Sequence, residues 1–316
     1  MTPFAVLLIR IPIEPIHWQI LSYISYIGCG LSAFFTALSI AVYLLSNKKA
    51  DHSIAIHVSL SGALFLLNTT FLLTEWGARM KPDWVCVFVA AAMHYSLLCS
   101  FTWMALEAVH LYLLLIKVFN TNYKRYLLKM SVAGWGIPAI IVSVSVGVKD
   151  NEFYGLTETT MADSNQTSAI CWIVDDSYFY SVNLVYFTLI FMVNSGILMA
   201  VASSICKMKR VFRNAKVGME SKGDRRWRDP ERFSESCKSG LTVLGLTCLM
   251  GTTWGLAFLG SGFVNYTVLY LFCIFNSTQG FFIFMWICLS TNKQKKREQQ
   301  DKISSSPVKT TTTKTE

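Results

Sequence analysis

Apolar residues in this chain gather into long unbroken blocks instead of the alternating or three-to-four-residue periods of soluble strands and helices. A bilayer's hydrocarbon core, about 30 Å thick, is crossed by about 20 apolar helical residues. Runs of that order with almost no Lys, Arg, Asp or Glu occur at 20–45, 54–73, 86–116, 130–148, 178–205, 241–264 and 267–289. Each run is apolar on every face and much longer than a barrel strand of about 9 to 11 residues, so the pattern predicts helices. The fold class that follows is an all-α membrane protein, a seven-transmembrane helix bundle over 20–289. A leading segment and linker fill 1–19, and 290–316 reads as a disordered cytoplasmic tail.

Composition agrees: 53% of the 316 residues are hydrophobic and 15% are charged, against roughly 25% charged in soluble domains. That excludes a soluble, fibrous or disordered protein. Net charge is +9, and all but four of the 28 lysines and arginines (Arg10, Arg79, Lys81 and Lys149) fall on one side of the predicted bundle. Basic residues mark the cytoplasmic side, so the N-terminus is predicted outside and the C-terminus inside, with a basic surface facing anionic membrane lipid and not nucleic acid. The sequon at Asn165 then lies outside as a glycosylation site, whereas those at Asn68 and Asn276 lie within spans. Cys86 and Cys171 both face the oxidising side, where they can pair as a disulfide. The basic segment 206–237 reads as a docking surface for a cytosolic partner or as a plain solvated linker.

The leading stretch Thr2-Pro3-Phe4-Ala5-Val6-Leu7-Leu8-Ile9 is apolar, yet Pro12 and Pro15 follow and no basic segment precedes it. It is neither a span nor a signal peptide. Burying Phe4, Leu7 and Leu8 contributes about 1.5–3 kcal/mol each, and a tether of about 3.3–3.6 Å per residue lets the segment fold back into its own bundle at a local concentration of order millimolar. Alternatively, it completes a β-sheet in a domain outside this sequence.

Ionisable groups at membrane depth are functional candidates by default. Glu107 is the one acid inside a predicted span, and His57 lies at a depth where the two meet, as a polar switch or as a structural bridge. His94 and His110, alone on the third span, are expected to satisfy backbone or hydroxyl partners. Gly245, Gly251, Gly255 and Gly260 flank Trp254 on the sixth span, serving close packing or a hinge. No serine-hydrolase, zinc-protease or Walker motif occurs, so catalytic residues, metal and cofactor are all expected to be none.

Several stretches together resemble a known family. They are the leading segment, Phe101-Thr102-Trp103-Met104-Ala105-Leu106-Glu107-Ala108-Val109-His110-Leu111-Tyr112, Gly134-Trp135-Gly136-Ile137-Pro138, Cys171-Trp172, Gly251-Thr252-Thr253-Trp254-Gly255 and Phe275-Asn276-Ser277-Thr278-Gln279-Gly280. They are similar to the adhesion G-protein-coupled receptors of subgroup G, over roughly 2–289. No Asp-Arg-Tyr ends the third span and no Asn-Pro-x-x-Tyr occurs in the seventh, which separates the chain from the rhodopsin-like class.

The resemblance implies a multi-pass plasma-membrane receptor and no enzyme, with Met1 standing where an upstream adhesive domain was removed. Thr2 would be the first residue after autoproteolysis, and Thr2, Phe4, Val6, Leu7 and Leu8 would form a tethered agonist. Phe4, Leu7 and Leu8 would insert beneath Trp172 and toward Trp254, into a pocket and switch formed with Phe101, Trp103, Gly251, Phe258 and Gln279. Bending at Gly251 would open the inner face to a heterotrimeric G protein, with arrestin as a further cytosolic partner and an adhesion ligand engaged through the upstream domain. His57 and Glu107 match two members of a polar network of the secretin-like class, whose other two positions are Val243 and Ile287 here. The rival readings are an adhesion anchor with little signalling and a membrane transporter.

Overall fold

A long apolar segment in lipid has no water to satisfy its backbone, so it closes its own hydrogen bonds as helix. The computed structural model describes residues 3–4, 13–45, 52–116, 125–148, 153–160, 167–217 and 266–304. Among them the helices are α1 (Pro15–Leu45), α2 (His52–Ala78), α3 (Asp83–Ile116), α4 (Tyr126–Ser131), α5 (Ile137–Val148), α6 (Asp176–Tyr178), α7 (Val185–Val217) and α8 (Tyr266–Ser304). A π-helical turn, Val132–Gly136, joins α4 to α5, and a second, Phe179–Leu184, joins α6 to α7. The described residues therefore hold six membrane-length apolar helices. They correspond to six of the seven predicted spans, and the sixth, 241–264, lies outside the described residues.

The boundaries differ from those read off hydropathy, because a helix does not stop where lipid does. α1 begins at Pro15, inside the stretch read as linker; proline fits a first helical position, where its missing N–H costs nothing. α7 continues through the start of the basic segment to Val217, and α8 runs to Ser304, so the first part of the predicted disordered tail is helical.

α1, below the buried Trp18 and Leu21, turns small and polar residues inward and bulky apolar residues outward. α1 buries Ser22, Ser25, Gly28, Cys29, Ser32, Thr36 and Ser39 while exposing Ile20, Tyr23, Ile27, Leu31 and Phe34. Lipid solvates large side chains as well as a neighbouring helix does, so close backbone approach decides the face. α1 packs along α8 and α2, α2 along α3, and α3 along α7. At the α1–α8 seam a Cβ on Gly280 would stand 2.6 Å from the Ser32 carbonyl oxygen, and one on Gly28 would overlap Ser277. Asn68 of α2 donates to Ser32 Oγ at 3.2 Å and to the Leu64 carbonyl at 2.7 Å, which fills a polar gap in the same seam.

Gly134, in the first π turn, admits the Trp103 indole so closely that a Cβ would sit 2.5 Å from Cε2. Gly134→Ala is expected to cost about 1–3 kcal/mol by overpacking, read as a lower melting temperature of the detergent-solubilised protein. Gly30→Ala, with nothing near its Cβ position, is the control.

One feature departs from all-α. The segment between the fourth and fifth spans forms an antiparallel hairpin, β1 (Tyr154–Thr160) paired with β2 (Thr167–Ile173), Leu156 opposite Cys171. The hairpin packs on α2 and α3 and is tied to α3 by the Cys86–Cys171 disulfide, with Cα atoms 5.1 Å apart. That bond agrees with the pairing read from the sequence.

Candidate functional site

Phe4 is seated inside the bundle at the end that carries the hairpin, 4% exposed. Its N–H donates to Ser25 Oγ at 3.0 Å, and Ser25 in turn donates to the Leu21 carbonyl at 2.7 Å. The Phe4 ring meets Phe71 of α2 edge-on at 4.9 Å and stacks on Phe272 of α8 at 5.9 Å. Tyr26 backs Phe71 at 5.6 Å, and Cys273 lies 3.6 Å from Ser25 Oγ. Three helices thus supply one aromatic slot with a polar anchor at Ser25. Ile13, Trp18 and Leu21, all buried, carry the chain from the segment into α1. Beside them His17 bonds the Tyr270 hydroxyl through Nδ1 at 3.0 Å and stacks on Tyr266 at 3.9 Å, which fixes the root of the segment to α8.

Of the residues assigned to the pocket and switch, Phe101, Trp103, Trp172 and Gln279 are buried. Phe101 packs on Phe187 of α7 at 5.3 Å, and Trp103 on Trp135 at 5.8 Å. Trp172, on β2, meets His94 at 6.2 Å and Phe179 at 6.3 Å, both edge-on. Gln279 faces the core from α8. The described contacts of Phe4 run to α1, α2 and α8. Thr2, Val6, Leu7, Leu8, Asn165, Val243, Gly251, Trp254 and Phe258 lie outside the described residues.

Nearer the opposite end the structure brings His57 and Glu107 together, Nδ1 to Oε1 at 3.2 Å, with each residue 3% exposed. Trp286 of α8 lies over the imidazole at 3.7 Å, so three spans meet at this pair. Ile287, beside it in sequence, is fully buried. The two third-span histidines pair with hydroxyls, His94 with Tyr154 at 2.8 Å and His110 with Tyr126 at 3.2 Å. Asn68 and Asn276 donate to carbonyls of their own helices, consistent with positions inside spans.

Three contributors escaped sequence reading. Ser25 looks like any small residue of a span; only its place on the buried stripe at 22, 25 and 29 marks it. The hairpin had a signal in its Thr- and Ile-rich strands, of the kind that favours extended backbone. Beneath it Tyr154 and Tyr178 join α3 to α5, and burial pushes the Tyr154 phenol up, so it stays a neutral hydrogen-bonding group.

The profile described as 7 transmembrane receptor (Secretin family) matches residues 18–283. Among curated proteins, adhesion G-protein coupled receptor G2 of Homo sapiens is 38% identical over 300 residues, covering 94% of this chain and 28% of the relative. Adhesion G-protein coupled receptor G4 of Homo sapiens is 38% identical over 305 residues, 95% of this chain and 9% of the relative. Adhesion G-protein coupled receptor G6 of Danio rerio is 40% identical over 284 residues, 88% and 22% respectively. The chain thus spans less than a third of the length of each of these relatives.

Proposed function

Because the chain belongs to the secretin family of seven-transmembrane receptors, among its adhesion G-protein-coupled members, we propose that it is a plasma-membrane receptor switched on by its own leading segment. The observation that carries this reading is Phe4, an apolar side chain from outside the spans, seated among α1, α2 and α8 and anchored through its main chain to Ser25. A covalently attached ligand needs only modest intrinsic affinity, because its tether supplies an effective concentration of order millimolar. Thr2 to Leu8 act as the agonist, with Phe4 the buried anchor and Val6, Leu7 and Leu8 adding apolar contact. The hairpin end faces outward, as the scarcity of basic residues there requires, with Asn165 glycosylated. The opposite end, where Lys and Arg crowd, receives the heterotrimeric G protein.

In this scheme the seated segment binds one arrangement of the bundle more tightly than the other and shifts the population by that difference. Gly251 and Trp254 on the sixth span supply the bend, and His57–Glu107 closes the inner end until the bend breaks it. The receptor performs no covalent chemistry; it speeds nucleotide release from its partner.

The test is nucleotide exchange on purified G proteins of each class by membranes holding the intact chain or a chain lacking residues 2–9. Exchange accelerated by the intact chain alone is the expected result. No acceleration on any class replaces the receptor with an adhesion anchor.

A further inference from the structure

The first turn of α1 and the first turn of α8 clasp each other at the hairpin end of the bundle. Helical bonding in α1 opens at Glu14, whose carbonyl accepts from the Trp18 N–H at 2.9 Å. The Glu14 N–H points to the Tyr266 hydroxyl at 3.5 Å. One turn on, the His17 imidazole stacks on the Tyr266 ring, with centroids 3.9 Å apart and 22° between the planes. The same imidazole meets Tyr270 edge-on at 5.9 Å and shares a hydrogen bond with its hydroxyl through Nδ1 at 3.0 Å. Nε2 faces the Glu14 carboxylate at 3.9 Å. Ile13 before this turn and Trp18 within it are buried.

Further along the same two helices comes the Phe4 seat, where Ser25 lies 3.6 Å from Cys273 and Phe4 stacks on Phe272. Beyond it Gly28 approaches Ser277 and Ser32 approaches Gly280. Clasp, seat and glycine contact thus lie in order along one α1–α8 seam. Traced backward from α1, the leading segment departs at Pro15 and returns to the helix at Ser25 through the Phe4 N–H. Ser25 stands about 15 Å along α1 from Pro15, at 1.5 Å per residue. From Phe4 to Pro15 the chain can reach about 36–40 Å, at 3.3–3.6 Å per residue. The tether is therefore more than twice as long as its span, and such slack dilutes the ligand at its seat. Helix ends also fray. Each residue that unwound from the first turn of α1 would add slack and move the root, and the contacts of Glu14 and His17 with α8 oppose that unwinding.

We propose that His17, Tyr266 and Tyr270 are positioning residues for the attached agonist: they fix the root of the tether to α8, the helix that supplies Phe272, and so set the effective concentration of Phe4 at its seat. This rests on the tethered-agonist reading above and adds a requirement that a free ligand does not share. A peptide arriving from solution has no root, so a clasp that acts through the tether is invisible to it. Residues that shape the slot itself are felt by both.

The test compares the two routes. Self-activation is G-protein nucleotide exchange driven by the full chain, per receptor at the surface. The free route is exchange driven by a synthetic peptide of residues 2–9 added to the full chain carrying Phe4→Ala. Tyr270→Phe removes the bond to His17, and self-activation should fall about fivefold, the equivalent of one hydrogen bond. The peptide concentration giving half-maximal exchange should not move. Tyr266→Leu, which removes the stack and the Glu14 contact together, should cut self-activation further. His17→Phe should match Tyr270→Phe, and the pair should fall no further than either alone, because each removes the same bond. Ser25→Ala is the contrast and should weaken both routes. Equal losses on both routes make the three ordinary structural residues and overturn the clasp. So does self-activation unchanged in Tyr270→Phe and Tyr266→Leu while the unsubstituted chain signals; then the clasp falls alone. If the unsubstituted chain drives no exchange, or the peptide is inert at a concentration of order millimolar, the receptor reading falls and the clasp with it. Should Tyr266→Leu not reach the surface, Tyr270→Phe, which removes only a hydroxyl, decides.

Discussion

Phe4→Ala is expected to bring basal G-protein activation down to the level of a chain without its leading segment. Truncating a buried phenylalanine typically costs about 3–5 kcal/mol, and 1.4 kcal/mol is tenfold in an equilibrium. The seated population relative to the unseated one should therefore fall at least about a hundredfold. A tether of millimolar strength does not compensate a loss of that size. Two graded variants locate the effect. Phe4→Leu keeps the bulk but gives up the edge contact with Phe71 and the stack on Phe272, about 0.5–1.5 kcal/mol of aromatic geometry, so signalling should fall severalfold. Ser25→Ala removes the acceptor of the Phe4 N–H and should cost about 1 kcal/mol. The measurement is nucleotide exchange per receptor at the cell surface. Undiminished signalling by Phe4→Ala at equal surface amount would sink the tethered-agonist reading.

The second large effect concerns the His57–Glu107 pair, held at 3.2 Å in the core. Removing one partner leaves the other an unsatisfied polar group at membrane depth and should cost about 1–3 kcal/mol. For a bundle of this size about 1 kcal/mol moves the melting temperature by roughly 2–4 °C, so His57→Ala and Glu107→Ala should each melt several degrees lower. Replacing both with leucine should recover much of this, because an apolar pair of similar volume avoids the desolvation penalty altogether. Stability alone does not distinguish a lock from a bridge. Basal exchange does: with the pair gone, the closed state loses a contact that the open state lacks, so signalling should rise even in the Phe4→Ala background. A leucine pair that melts normally and signals no more than Phe4→Ala alone identifies the pair as structural.

The bundle was legible because lipid imposes one requirement, self-satisfied backbone over about 20 residues, that hydropathy reports directly. The meeting of His57 and Glu107 was also readable, since two costly groups at matching depth have few other solutions. Helix ends were less so, as with the start of α1 at Pro15 and the run of α8 to Ser304, because hydrogen bonding continues after hydrophobicity stops. The burial of Phe4 was foreseen, but not the residues that wall it among α1, α2 and α8. The sequence resemblance aimed the segment beneath Trp172 and toward Trp254, of which Trp254 lies outside the described residues, and said nothing of Ser25, Phe71 and Phe272, which the described contacts of Phe4 include. Those walls come from three helices far apart in sequence, and no local pattern announces them. For His94 a backbone or hydroxyl partner was expected, but that Tyr154 would supply it, with Tyr178 behind, was hidden until the hairpin folds over α3.

The contact between Gly28, Ser32, Ser277 and Gly280 joins the first span to the last. During synthesis the ribosome delivers those two helices at opposite ends of the process, so that flank of the bundle stays unzipped until the final one enters the bilayer. Two of the three walls around Phe4 belong to this late-closing edge. A product without that last helix lacks the Phe272 wall of the Phe4 seat, so on the proposed reading it is expected to stay silent until the bundle is complete.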